Sequence, residues 1–309
     1  MNARMFEIKL AGLNNKQVHV QTYREILEEA RKGGRAVGHF NFANFEMMWG
    51  VVHAAQKLGV PVLLGLAEGE QDWVGLRQAV ALIKSLREDG HTVFLNADHT
   101  YSFERVRAAI DAGFDSVIFD GAKLPMEENI KITKQCVDYA RASGRDVIVE
   151  AELGYIGEGS TVRDTLPEGI QMTSVEDAVR FVKETGVDLF APAVGNIHGM
   201  LKPPPGGEPW GTWATDPPLD IARIKEIATA VSVPLVLHGG SGTPNLADGI
   251  KAGITEVHIS TELRKAWHDA MSEHFTKSPG DLAPYKVGKE AREAVEEVAS
   301  DRLKLFTNP

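Results

Sequence analysis

Histidines and carboxylates sit at the ends of a series of short apolar runs, and their residue types suit metal chemistry. Asp98 and His99 close "TVFLNADH", Asp120 closes "SVIFDG", and Glu150 and Glu152 lie in "DVIVEAELG". Asn196 and His198 follow "LFAPAVG", His238 lies in "PLVLHGG" and His258 in "TEVHIST". A lone histidine is more often a satisfied structural residue than a ligand, so the grouping carries the reading. His99, His198 and His238 with Glu152 offer imidazole nitrogen and carboxylate oxygen, and one cysteine leaves no thiolate cluster. That set suits Zn²⁺ or another borderline divalent cation. A catalytic zinc keeps three protein ligands and an open position, so the carboxylate Glu152 is the ligand expected to exchange.

Two loops suggest an anion site beside the metal. "LHGGSGTP" (237–244) closes one run with Gly239, Gly240 and Ser241, and "HISTELRKAW" (258–267) closes the next with Ser260 and Thr261 and enters a helix. Backbone N–H groups and helix N-termini in such loops hold phosphate. Either loop alone is equally a tight turn with a Ser/Thr cap; the pair together points to phosphate.

The elements that must position these residues are eight β-rich runs, most followed by an amphipathic helical pattern. The runs are 36–42, 60–67, 92–98, 116–121, 146–154, 189–195, 234–240 and 255–261. Near-continuous apolar character is what strands covered on both faces require. Stretches such as "FERVRAAIDAG" and "VEDAVRFVKETG" show helical spacing and a closing glycine. Eight alternating units predict an α/β fold, a closed (β/α)8 TIM barrel in which strand C-terminal ends share one rim. No Gly-x-Gly-x-x-Gly turn follows the first run, which disfavours an open dinucleotide-binding sheet. The expectation is one barrel domain over 1–309 with a C-terminal helical extension at about 262–309. Segments 154–174 and 202–218 are rich in Gly, Pro and Thr and predict irregular loops, either lids or surface insertions.

Bulk properties narrow the function classes. A formal net charge of -10 argues against nucleic-acid binding while leaving anionic small substrates open. Cys136, in helical context, reads as a packed thiol, so no intrachain disulfide is available and a reducing, cytoplasmic setting is expected. No run of 18 apolar residues suggests a membrane span, and "MNARMFEIKLAG" lacks a signal-peptide h-region.

From "GHFNFANFEMM" through "NADHT", "SVIFDGAKLPMEENI", "VEAELGYIGE", "AVGNIHGM", "VLHGGSG" and "EVHISTEL", the chain resembles the class II, metal-dependent fructose-bisphosphate and tagatose-bisphosphate aldolases. The resemblance implies reversible retro-aldol cleavage of a ketose phosphate, with dihydroxyacetone phosphate as the enolising half and a metal-stabilised enediolate. It implies His99, His198 and His238 as principal ligands, Glu152 as a ligand in some states, and Asp98 as the base for the C4 hydroxyl. It also implies Gly239–Ser241 and Ser260–Thr261 as phosphate segments, Gly199 and Lys202 beside phosphate and a monovalent cation (Na⁺ or K⁺), and Asn41 near the substrate. A homodimer or homotetramer follows from the same resemblance.

Four departures set this chain apart. Ala97 and Thr100 flank the Asp-His pair in place of leucine and glycine, and His258 replaces an asparagine. The loop after "AELG" offers only Glu158, with Asp164 further on, where the family has adjacent acids. The proline-rich 202–218 segment is the fourth. His258 is therefore expected within substrate reach. These departures keep two alternatives in view, a non-standard ketose phosphate and an impaired barrel that binds metal or sugar phosphate. A metal-dependent hydrolase is disfavoured because "GHFNF" lacks a His-x-His pair.

Overall fold

The computed structural model describes residues 21–202 and 216–309. Expectations falling on the first 20 residues and on 203–215, including most of the second loop segment, lie outside the described residues. Eight parallel strands close a barrel: β1 (Val37–Asn41), β2 (Val62–Leu66), β3 (Val93–Thr100), β4 (Ser116–Phe119), β5 (Ile148–Leu153), β7 (Leu189–Pro192), β9 (Leu235–Leu237) and β10 (Ile254–Ile259). Each falls within one of the eight runs read from the sequence, apart from three boundary residues, His99, Thr100 and Ile254. The outward apolar residues pack under a ring of helices, and the strands are buried on both faces. Polar residues such as His39, Asn41, Glu150, Glu152, Glu256 and His258 alternate with apolar ones on β1, β5 and β10.

The short strands β6 (Val162–Arg163) and β8 (Met200–Leu201) pair in parallel outside the barrel. They tie the loop after β5 to the loop after β7. The segment expected to be irregular therefore carries one two-residue ribbon, extended by Met200 N donating to Thr161 O at 3.0 Å and Lys202 N to Arg163 O at 2.8 Å.

A helix before the first strand, α1 (Tyr23–Lys32), has no counterpart in the sequence expectation. Thr22 and Glu25 form its capping box, and Gly33 follows its last turn. Tyr23, Ile26, Leu27 and Ala30 form its buried face, in one cluster with Val37, Leu63, Phe94, Ile148, Leu189 and Val236. These are the lower inward residues of the barrel strands, so α1 plugs the end opposite the site. Burying each large apolar side chain stabilises by about 1.5–3 kcal/mol.

Around the barrel run α2 (Phe45–Leu58), α3 (Glu68–Val74), α4 (Leu76–Glu88), α5 (Phe103–Ala112), α6 (Met126–Ala142), α7 (Val175–Thr185), α8 (Ile221–Ala230), α9 (Leu246–Ala252), α10 (Thr261–Lys277) and α11 (Pro284–Thr307). Gly50 lets α11 lie against α2, since a Cβ there would stand 2.8 Å from Val295 Cγ1. At the far end of α11, Phe306 stacks on Phe40 with ring centroids 6.4 Å apart.

Candidate active site

One local distortion puts two neighbouring chemical groups into the mouth of the barrel. Successive strand residues face opposite sides, so Asp98 and His99 could not both point inward from a regular β3. The β3–β4 register shifts between Ala97 and Thr100, and His99 adopts φ 43°, the left-handed region. A bulge of this kind re-aims side chains at a barrel rim. Asp98 and His99 then both line the pocket at the C-terminal ends of the strands.

His99, Glu152, His198 and His238 each offer a ligand atom, and the four atoms lie within 4.8 Å of one another. Each histidine has a second partner for its other nitrogen. His198 Nδ1–H donates to the Gly157 carbonyl at 2.8 Å, His238 Nε2 lies 2.7 Å from Glu150 Oε1, and His99 Nδ1 lies 2.9 Å from Asp120 Oδ2. Metal-ligating imidazoles are oriented in this way. The donor set and its orienting partners fit a divalent cation. Asp120 and Glu150 thus enter as supports for the candidate ligands.

Burial works against each histidine's charge, and neighbours decide the outcome. For His99, Asp98 and Asp120 outweigh burial and hold the imidazolium up to about 9. For His198, burial together with the positive His99 and His238 pushes the value down to about 3. Glu150 and Glu152 overcome burial at His238 and raise it well above the usual range. Glu152 itself is raised by burial and by Asp120. Burial disfavours the Asp98 anion, yet His99 and His258 hold its carboxyl well below the usual range.

Asp98 is 3% exposed. Its Oδ2 accepts from Asn41 Nδ2 at 2.9 Å, while Oδ1 has no hydrogen-bond partner among the described residues. The nearest nitrogens to Oδ1 are His258 Nδ1 at 3.5 Å and His99 Nε2 at 3.6 Å. His258 lines the same pocket, stacks on His39 with centroids 3.6 Å apart, and gives Nε2–H to Glu256 Oε1 at 2.8 Å. It is neither in an apolar core nor open to solvent, at 4% exposure. Beneath it, Tyr23 Oη donates to Glu256 Oε2 at 2.5 Å, so a polar column runs from α1 to the site.

The two loops expected to hold phosphate meet at the rim. Gly239, Ser241, Ser260, Thr261 and Gly199 line the pocket. A Cβ on Gly239 would stand 1.9 Å from the Ile197 carbonyl oxygen, and its φ is 59°, so only glycine fits. Gly240 donates its N–H to His258 O at 3.0 Å, so it joins the loops rather than facing the pocket. Buried Glu262 accepts from Gly242 N at 2.8 Å and from Arg302 at 2.6 and 2.7 Å, fixing both loops to α11.

Two expected residues stand apart from this cluster. Glu158 is paired with Lys123 at the rim, and Lys202 Nζ with Asp164 Oδ1 at 2.8 Å; neither lines the pocket. Sequence reasoning missed Tyr101, Ser160, Glu70 and Arg264. Arg264 had a signal, since three residues beyond Thr261 on a helix returns to the same face. Buried Glu70 had none beyond its place after the second strand.

Residues 21–308 match the family described as fructose-bisphosphate aldolase class-II. The chain belongs to this family. A fructose-bisphosphate aldolase of Geobacillus stearothermophilus is 37% identical over 289 residues, covering 92% of this chain and 95% of the relative. The crystal structure of the YdjI aldolase from Escherichia coli K12 superposes with TM-score 0.75 at 32% identity, covering 92% of this chain and 96% of that one. A putative fructose-1,6-biphosphate aldolase from Coccidioides immitis superposes with TM-score 0.74 at 26% identity, covering 91% and 94%. Class II aldolases are metal-dependent lyases, and the impaired-barrel alternative is not favoured. No helix among the described residues is long and apolar enough to cross a membrane.

Proposed function

We propose that this chain cleaves a ketose phosphate such as fructose 1,6-bisphosphate, reversibly, to dihydroxyacetone phosphate and an aldehyde. The observation that supports this most is the unpartnered, anionic Asp98 Oδ1 beside four convergent ligand atoms and within one pocket with the Gly239–Ser241 and Ser260–Thr261 loops. A phosphate held by those loops places the sugar across the mouth. Asp98 Oδ1 takes the C4 hydroxyl proton as the C3–C4 bond breaks and the C4 aldehyde forms. A divalent ion held by His99, His198, His238 and Glu152, Zn²⁺ by the chemistry of its donors, supplies Lewis-acid stabilisation of charge at the ketone. The carbanion left on the dihydroxyacetone half must gain a proton. We assign that transfer to Glu158, the acid of the 154–174 loop nearest the rim, which must leave Lys123 to deliver it. Asn41 and His258 bound the substrate, and Gly199 and Lys202 border a monovalent cation. The protein works in the cytoplasm as a homodimer or homotetramer.

Chelation followed by a cleavage assay on fructose 1,6-bisphosphate tests the central claim. Activity should vanish and return with Zn²⁺; turnover that persists in demonstrably metal-free protein excludes it. Glu158→Gln should slow deuterium exchange into dihydroxyacetone phosphate by roughly 10²-fold. Exchange at the wild-type rate would remove Glu158 from that step.

A further inference from the structure

The orientation of Asp98 is set by a chain of side chains that begins at the pocket wall. Asn41 Nδ2 gives one hydrogen to Asp98 Oδ2 at 2.9 Å and lies 3.1 Å from Glu70 Oε2. The same Glu70 oxygen accepts from Ala67 N at 2.8 Å. Glu70 Oε1 is held by Arg264 Nη2 at 2.6 Å, from the first turn of α10. Glu70 is 7% exposed, so its charge is compensated by this one guanidinium in a setting with little water.

The chemistry of a primary amide gives this chain its meaning. Asn41 presents one acceptor and two N–H donors, and it sits between two carboxylates. With Glu70 ionised, turning the amide oxygen toward either carboxylate sets lone pairs against lone pairs. Glu70 therefore forces the amide orientation that donates to Asp98 Oδ2. That bond fixes the carboxylate plane and leaves Oδ1 as the atom facing the pocket. We infer that Glu70, clamped by Arg264, is a positioning residue for bond cleavage, acting through Asn41 on Asp98. This rests on Asp98 being the base.

The test is a double-mutant cycle on the metal-loaded full chain with Glu70→Ala, Asn41→Ala and the double variant. A misoriented reacting group costs up to about a hundredfold in rate. Glu70→Ala should thus lower kcat by about ten- to a hundredfold, with KM changed far less and bound metal per chain unaltered. In the Asn41→Ala background the same change should cost almost nothing, because the lever it acts through is gone. Glu70→Gln keeps the volume and can still accept from Ala67 N, but sets an amide against Arg264. It should fall between wild type and Glu70→Ala, and it carries the test if the alanine variant does not fold. A Glu70 that only supports the fold would lower the melting temperature and leave kcat per folded chain unchanged. That result, or losses that multiply across the cycle, overturns the inference. Asp98→Asn separates the two levels: wild-type cleavage in that variant would remove the base reading itself.

Discussion

In the proposed mechanism Asp98 and His99 are adjacent because one accepts a proton within reach of the cation that the other would hold. Their types were readable from the sequence, since two ionisable residues ending an apolar run have few bland explanations. The left-handed φ of 43° that lets both face the mouth was not. Histidine takes positive φ more readily than most residues but still only rarely, and a bulge depends on the neighbouring strand. The roles separate by substitution. Asp98→Ala should cut kcat by roughly 10² or more while metal content stays near the wild-type level. Simultaneous loss of metal would place Asp98 among the ligands instead. His198→Ala should lower bound metal per chain, read by elemental analysis; full stoichiometry would remove it from the ligand set. His238, pinned between Glu150 and Glu152, shows how much of a site lies in the groups that aim its ligands. Glu150 could be marked as ionisable in advance, but its partner depended on closure of the barrel.

At the scale of elements, legibility followed burial. The eight barrel strands are buried on both faces and largely apolar, so they stood out; β6 and β8 are two residues each and stabilised by their pairing, so no local pattern marks them. The capping box and the Tyr23, Ile26, Leu27, Ala30 spacing were present in the sequence, yet nothing local says that this face closes a barrel. Because α1 plugs the end opposite the pocket, Thr22→Ala should cost about 0.5–2 kcal/mol, the usual loss of an N-cap. Urea unfolding should show it with kcat unchanged, and an equal fall in kcat would mean that the plug governs the site. Cys136 on α6 supplies a pH test of packing. It is 0% exposed, and burial pushes its thiol up to about 12. The folded state thus holds this proton more tightly than the unfolded chain, whose thiol titrates near 8.5. Its contribution to stability is present below that value and is lost as pH rises toward 12. Native protein at pH about 8 should not react with a thiol reagent, whereas unfolded protein should react with one equivalent. Rapid native labelling would contradict the packing of α6.

For the whole molecule, the acidic net charge and the proposed anion-binding mouth are compatible because the charges act at different ranges. A net -10 spread over the surface is screened within roughly 8–10 Å at physiological salt, while backbone donors at the rim act at contact. The same locality would make the proposed cation a link between strands far apart in the chain. His99 comes from β3, Glu152 from β5, and His198 and His238 from the loop after β7 and the end of β9. An ion held by all four binds the closed barrel and not the unfolded chain, so it must stabilise folding by mass action. With free metal at about a hundred times Kd, the gain is about 2.7 kcal/mol. For a chain of this length that corresponds to a rise in Tm of a few degrees. Chelation should therefore lower Tm and activity together, and added Zn²⁺ should restore both. His198→Ala should start from the lower Tm and respond little to either treatment. A wild-type Tm indifferent to chelation, with metal demonstrably removed, would mean that the four ligands are held in place without the ion and that its role is confined to the reaction.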